Sequence, residues 1–176
     1  MKGKQLTPTE RAQTIKLFLM DVDGTLTDSA MYFSARGEEL KRFSTRDGMG
    51  ITLLHRAGIR TGIITSENSE IVTRRAEKLG IQEVVLGCHD KTTTFYDISR
   101  RLGIAPNDIA YIGDDVNDLH IMSCCGLAGC PSDAVPAVKS VAHVIADFPG
   151  GNGAVRAFAE FILTSQGKSI GLPENW

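Results

Sequence analysis

An α/β fold built on a doubly wound parallel sheet is the class this sequence predicts, and three observations predict it. Short apolar runs at Leu17–Met20 and Ile109–Ile112 lack polar alternation, as strands buried on both faces should, and Arg60–Ile64 reads as a further strand between them. Between them lie segments of helical periodicity, at a spacing that requires right-handed crossovers. Third, acids follow the apolar runs directly: Asp21 and Asp23 after the first, and Gly113-Asp114-Asp115-Val116-Asn117-Asp118 after Ile112. Open α/β sheets place their ligands at the carboxyl ends of the strands.

The elements follow in order. Thr7-Pro8-Thr9-Glu10 opens a short helix, with a Thr cap, Pro at the first helical position and Glu three after the cap. Met31-Tyr32-Phe33 and Leu40-Lys41-Arg42-Phe43 flank Ala35-Arg36-Gly37-Glu38 and predict a β-hairpin whose tip is too polar for a core. Asp47-Gly48-Met49-Gly50 opens a helix carrying Ile51, Leu53 and Leu54 inward and ending at Gly58. After the strand at 60–64 comes a helix over 68–79, with Ile71, Val72, Ala76 and Leu79 on one stripe and Gly80 as its stop. Val84-Val85-Leu86 is a short strand, and Lys91 to Leu102 a helix with Phe95, Ile98 and Leu102 inward. A helix through Leu119 and Met122, strands at 127–129 and 143–145, a helix near 135–139 and a last helix over 154–164 complete the alternation.

With 176 residues, no repeat and no linker-like stretch, the chain reads as one domain. Residues 1–14 form an N-terminal extension, frayed over Met1 to Gln5; residues 28–43 form a hairpin flap and 167–176 a tail. A formal net charge of −2 excludes a dominant electrostatic attraction to nucleic acid or an anionic membrane. No apolar run approaches the roughly 18 residues of a membrane span, and no signal-peptide core follows Gln5, so the cytoplasm is the expected location. Cys88, Cys124, Cys125 and Cys130 contain no C-x-x-C pair and read as free thiols, while His55, His89, His120 and His143 lack metal spacing.

Four segments carry chemistry. Asp21 and Asp23, at i and i+2 in extended backbone, point the same way over the end of the first strand, and Gly24 lets the chain turn away. Thr65 ends the second strand before a helix, where its hydroxyl and nearby amides can hold an anion; taken alone it reads as an ordinary helix cap. Lys91 begins a helix, where a cation opposes the dipole and needs an anionic partner. Asp114, Asp115 and Asp118 repel one another unless a cation or Lys91 compensates.

Together, Asp-x-Asp-Gly-Thr, Thr65, Lys91 and Gly-Asp-Asp-x-x-Asp resemble the haloacid dehalogenase superfamily of phosphohydrolases, over essentially Lys16 to Arg156. The resemblance implies a catalytic set of Asp21, Asp23, Thr65 and Lys91. Asp21 is then the nucleophile that forms an aspartyl-phosphate, and Asp23 the general acid and base. Thr65 and Lys91 hold the transferring oxygens. Mg²⁺ is implied as cofactor, bound by Asp21, the Asp23 backbone carbonyl and Asp114, with Asp115 and Asp118 behind them orienting Lys91. A dianionic ester independently needs such a cation and lysine before a carboxylate can approach it.

Only a hairpin separates the first motif from Asp47, and no domain-sized insert lies between Thr65 and Lys91, so the site has no cap domain. Gly37-Glu38-Glu39-Leu40-Lys41 with Phe43, Arg46-Asp47-Gly48-x-Gly50, Arg75 with Leu79-Gly80-Ile81, and Gly150-Gly151-x-Gly153-Ala154-Val155-Arg156 resemble the cap-less branch. That branch acts on 2-keto-3-deoxy sugar acid phosphates, namely 3-deoxy-D-manno-octulosonate 8-phosphate (KDO 8-phosphate) and 2-keto-3-deoxynononate 9-phosphate (KDN 9-phosphate). Its members are typically homotetramers whose neighbouring subunits cover the site. The flap, the glycine-rich turn and the tail are the candidates to reach a neighbour, although Ala157 replaces the family's Glu after the last Arg. Ser66-Glu67-Asn68, Thr45 and Lys78 look more like the nononate enzymes than like the octulosonate ones, which carry Gly-Arg-Lys after the threonine. Glu67 and Lys78 read equally as a solvated helix face. Arg46 and Arg75 are the candidates for the substrate carboxylate, because Arg can bind it bidentately.

Two alternatives come from other classes. A response-regulator-like phosphoacceptor also uses acids, Thr and Lys on a doubly wound sheet, but needs no second acid two residues after the nucleophile. A non-catalytic oligomerisation or regulatory domain, as fused to acylneuraminate cytidylyltransferases, would not need the full acid set. A phosphomutase would need a cap to retain its intermediate.

Overall fold

A computed structural model describes residues 6–172. The elements run α1 (Pro8–Ala12), β1 (Leu17–Met20), β2 (Tyr32–Ser34), β3 (Gly37–Leu40), α2 (Thr45–Arg56), β4 (Arg60–Ile64), α3 (Glu70–Leu79) and β5 (Glu83–Val85). Then follow α4 (Lys91–Leu102), β6 (Ile109–Ile112), α5 (Leu119–Cys124), β7 (Leu127–Cys130), α6 (Pro136–Val141), β8 (Val144–Ile145) and α7 (Ala154–Ser165). The main sheet has the order β5-β4-β1-β6-β7-β8, with every pairing parallel. This is the doubly wound α/β architecture that the apolar runs predict.

The reason β1 is apolar throughout is visible in its packing. Phe18 and Met20 enter a core shared with α1, α2, α3 and α7, while Leu17 and Leu19 enter a second core under α4, α5 and α6. Phe18 meets Phe158 of α7 edge-on at 5.5 Å between ring centroids, and Gly129 of β7 leaves room for that ring, since a Cβ there would lie 2.7 Å from it. The order of strand addition reverses at β1: β4 and β5 go to one side and β6 to β8 to the other. The loops leaving β1 and β6 therefore diverge to opposite faces and open a crevice at the carboxyl edge.

Several boundaries differ from the sequence-based expectation. The second hairpin strand is Gly37–Leu40 rather than 40–43, because Ser34 pairs with Gly37, whose φ of 113° closes a two-residue turn that another residue would strain. Phe43 instead forms a bridge to Thr27 and packs on the core. Helix α2 starts at Thr45, two residues early, because the Ser44 side chain accepts from the Arg46 and Asp47 amides. Helix α3 starts at Glu70 rather than Asn68, after Ser69 in extended conformation.

The glycine-rich turn packs against the loop after β1. The Gly151 amide donates to the Thr25 carbonyl at 2.9 Å, and a Cβ on Gly150 would lie 1.9 Å from the Gly24 carbonyl oxygen. The turn braces the loop after β1 within its own chain. The described part of the tail lies at the other end of the sheet, where Lys168 Nζ donates to the Ala57 carbonyl at 2.8 Å. The frayed reading of residues 1–5 and the end of the tail, 173–176, lie outside the described residues. Among the described residues no helix is long and apolar enough to cross a membrane.

Candidate active site

Asp21 follows β1 directly, its amide bound to the Ile112 carbonyl of β6 at 3.0 Å, and its side chain is buried. Lys91 is the first residue of α4, which Asp90 caps by accepting from the Thr93 amide. From there Lys91 Nζ donates to Asp21 Oδ1 and to Asp118 Oδ1, each at 2.7 Å. Asp118 Oδ1 also accepts from the Tyr111 hydroxyl at 2.6 Å, and its Oδ2 from the Asp114 and Asp115 amides at 3.0 and 3.4 Å. Thr25 Oγ1 donates to Asp114 Oδ1 at 3.3 Å. Carboxylate oxygens of Asp21, Asp114 and Asp118 lie within 4.8 Å of one another.

This cluster is electrostatically unfinished. Three carboxylates against one ammonium leave a formal excess of two negative charges. Burial, reinforced by Asp118 and opposed by Lys91, pushes Asp21 up to about 7. Burial and then repulsion from Asp21 and Asp118 push Asp114 up to about 7 as well. Burial alone would lower Lys91, but Asp21 and Asp118 hold it above the ordinary lysine value. An all-oxygen donor set with two uncompensated charges suits a hard divalent cation. Asp118 has both oxygens engaged within the chain, which leaves Asp21 and Asp114 as the side chains able to turn an oxygen to such an ion.

A cleft of about 250 Å³ opens beside this cluster, with Asp21, Asp23, Thr65, Glu67 and Asp115 among its walls. Thr65 is buried at the end of β4, and its Oγ1 accepts from the Glu67 amide at 3.3 Å. Asp23 faces a partner that no sequence motif marks as a site residue: Lys41 Nζ donates to Asp23 Oδ1 at 2.5 Å and pairs with Glu38 at 2.8 Å. Burial works against the Lys41 ammonium, yet Asp23 and Glu38 hold it above its usual value. Tyr111 was also missed, since an aromatic inside an apolar strand looks like core and only its hydroxyl reaches Asp118.

The structure thus brings Asp21, Asp23, Thr65, Lys91, Asp114 and Asp118 to one strand edge. Asp115 does not orient Lys91; it is exposed and its side chain accepts from the Val116 amide at 2.6 Å, capping a 3-10 turn. Of the expected substrate residues, Glu67 lies on the cleft wall. Arg46 is exposed and lines a separate groove with Phe148 and Arg156. Arg75 donates to the Ser44 carbonyl at 3.1 Å and lies over the Phe43 ring, between α2 and α3. Thr45 and Lys78 are exposed and outside the cleft lining.

Known proteins resemble this chain in sequence and in fold. Residues 44–126 match the family described as haloacid dehalogenase-like hydrolase. The 3-deoxy-D-manno-octulosonate 8-phosphate phosphatase of Haemophilus influenzae is 38% identical over 160 residues, 91% of this chain and 89% of that protein. The enzyme of the same description from Escherichia coli K12 is 39% identical over 158 residues, 90% of this chain and 84% of its own. The crystal structure of the Moraxella catarrhalis phosphatase with a magnesium ion, a phosphate ion and KDO aligns at a TM-score of 0.88 and 39% identity, covering 91% of this chain and 92% of that one. The six-stranded parallel sheet, the acids at its carboxyl edge and these likenesses place the chain in the haloacid dehalogenase-like hydrolase family, beside the 3-deoxy-D-manno-octulosonate 8-phosphate phosphatases.

Proposed function

We propose that the protein is a Mg²⁺-dependent phosphatase that hydrolyses the phosphate monoester of a 2-keto-3-deoxy sugar acid, with KDN 9-phosphate preferred over KDO 8-phosphate. The observation that carries the reading is the buried contact of Lys91 with Asp21 beside a cleft that Asp23 and Thr65 also line. Asp21, the Asp23 backbone carbonyl and Asp114 would hold Mg²⁺, which supplies charge neutralisation for a dianionic ester. The Asp21 carboxylate attacks phosphorus, the bond to the ester oxygen breaks, and an aspartyl-phosphate forms. Asp23 gives its proton to the departing alkoxide. It then takes a proton from the water that attacks phosphorus, releasing phosphate and restoring Asp21. Thr65 and Lys91 hold the phosphoryl oxygens while charge moves between them.

The preference for the nononate ester rests on Glu67, which puts a carboxylate on the cleft wall where octulosonate enzymes carry Arg, a local change of two charge units. Arg46 and Arg75 reach the substrate carboxylate only if a neighbouring subunit extends the cleft toward them. A homotetramer is therefore part of the proposal, and the exposed apolar side chains of Met31, Tyr32, Phe33 and Leu40 on the hairpin support it.

Phosphate release from both esters, in Mg²⁺ and in EDTA, tests the reading. Metal-independent turnover rejects the mechanism, and faster turnover of KDO 8-phosphate moves the assignment to the octulosonate ester. Light scattering that finds a fully active monomer removes the tetramer.

A further inference from the structure

Lys41 and Lys91 are the two buried lysines among the described residues, and the reaction as derived uses Lys91 alone. We infer that Lys41 is a positioning residue for the proton transfers at Asp23, an inference that rests on the phosphatase reading.

The two oxygens of Asp23 are inequivalent. Oδ1 accepts from Lys41 Nζ at 2.5 Å and from Thr27 Oγ1 at 3.4 Å. Oδ2 is shielded and has no hydrogen-bond partner among the described residues, although Asp23 borders the cleft. Buried polar atoms are nearly always partnered, so an orphan beside a cleft points to a group that arrives with the substrate. With Oδ1 occupied, Oδ2 is the oxygen left to exchange the proton with the ester and then with water, both of which reach it only when substrate entry uncovers it. Lys41 itself neither gains nor loses a proton; it sets which oxygen faces the ester and keeps the carboxylate from rotating.

The lysine is in turn held in place. Its side chain is 0% exposed, and its second carboxylate partner, Glu38, accepts from Ser69 Oγ at 2.5 Å. Ser69 occupies the cap position of α3, yet its side chain makes no capping bond. A serine there normally caps the helix, so turning its hydroxyl to Glu38 gives up local stability for a contact to the hairpin. The bridge between Phe43 and Thr27 fixes the returning strand beside the loop after β1. Asp23, Lys41, Glu38 and Ser69 therefore form one chain of contacts joining the catalytic loop, the hairpin and the segment after Thr65.

The test compares kcat/KM for the sugar-acid phosphate with that for p-nitrophenyl phosphate. An alkoxide leaving group needs the proton from Asp23, whereas p-nitrophenolate departs without one. Lys41→Met should lower kcat/KM for the sugar-acid ester by about 10- to 100-fold, part of what general acid catalysis contributes. The aryl ester, which still needs Asp21, Thr65 and the folded cleft, should fall less than about threefold if only the proton step is impaired. Lys41→Gln keeps a donor for Oδ1 and should show a smaller loss with the same selectivity; it carries the comparison if the Met variant does not fold. Equal losses on both esters, or none on either, overturn the inference while the phosphatase reading stands. A wild-type protein inactive on both esters overturns that reading, and the inference with it.

Discussion

Replacing Asp114 by asparagine should stabilise the metal-free protein at mildly alkaline pH and abolish its response to Mg²⁺. Oxygens of Asp114, Asp21 and Asp118 lie within 4.8 Å of one another, and unit charges that close repel by about 3.5 kcal/mol at an effective dielectric of about 20. The rise of Asp114 from 3.8 to about 7 converts to about 4 kcal/mol, of which part is screened because the residue is only partly buried. About 3 kcal/mol is the working figure, or on the order of 10 °C in Tm for a chain of this size. The sign follows from proton binding. A carboxylate raised in the folded state holds a proton that the unfolded chain has released, from about pH 4 to about pH 7, so stability falls as pH rises through that window. His55 and His143, both lowered by burial, titrate in the opposite sense, so the quantity to read is the difference between wild type and variant. Thermal melts in EDTA and in Mg²⁺, run from acid to alkaline pH, supply it. Mg²⁺ should raise the wild-type Tm most on the alkaline side and leave the variant unmoved. A variant no more stable than wild type in EDTA at alkaline pH would refute the argument, because the burial cost and the repulsion that it removes would then not exist.

Lys91→Met should cost roughly 3–5 kcal/mol in denaturant unfolding and eliminate turnover, because it strands Asp21 and Asp118 as buried charges. Gly150→Ala would drive a methyl into the Gly24 carbonyl, 1.9 Å away; phosphate release should drop sharply, with a stability loss of about 1–3 kcal/mol. Phe158→Ala should destabilise by about 3–5 kcal/mol, read from urea midpoints. Since its ring packs on Phe18 rather than on the cleft, KM of the refolded variant should stay unchanged. Asp21→Asn should leave the fold intact and remove activity; retained turnover would take Asp21 out of the nucleophile role.

The acids after β1 and β6, Thr65 after β4 and Lys91 at the head of α4 were all legible from the sequence, and with them the parallel sheet. A strand buried on both faces must be apolar along its length, and a helix head needs a cap, so both leave signals within a few residues. The same local rules misplaced the second hairpin strand, because the residue allowing the tight turn, Gly37, was read as part of the tip.

By itself, then, the sequence determined the sheet, its strand ends and the segments that meet there. Only the tertiary structure decided that Lys41 belongs to Asp23, that Asp118 and not Asp115 holds Lys91, and that the turn at 150–153 braces the loop after β1. Each of those contacts joins groups whose separation along the chain carries no periodicity. Acids of one motif such as Asp115 and Asp118, three residues apart, differ in role only through the direction each side chain takes from a 3-10 turn. Direction of that kind is set by packing, which no stretch of sequence encodes alone.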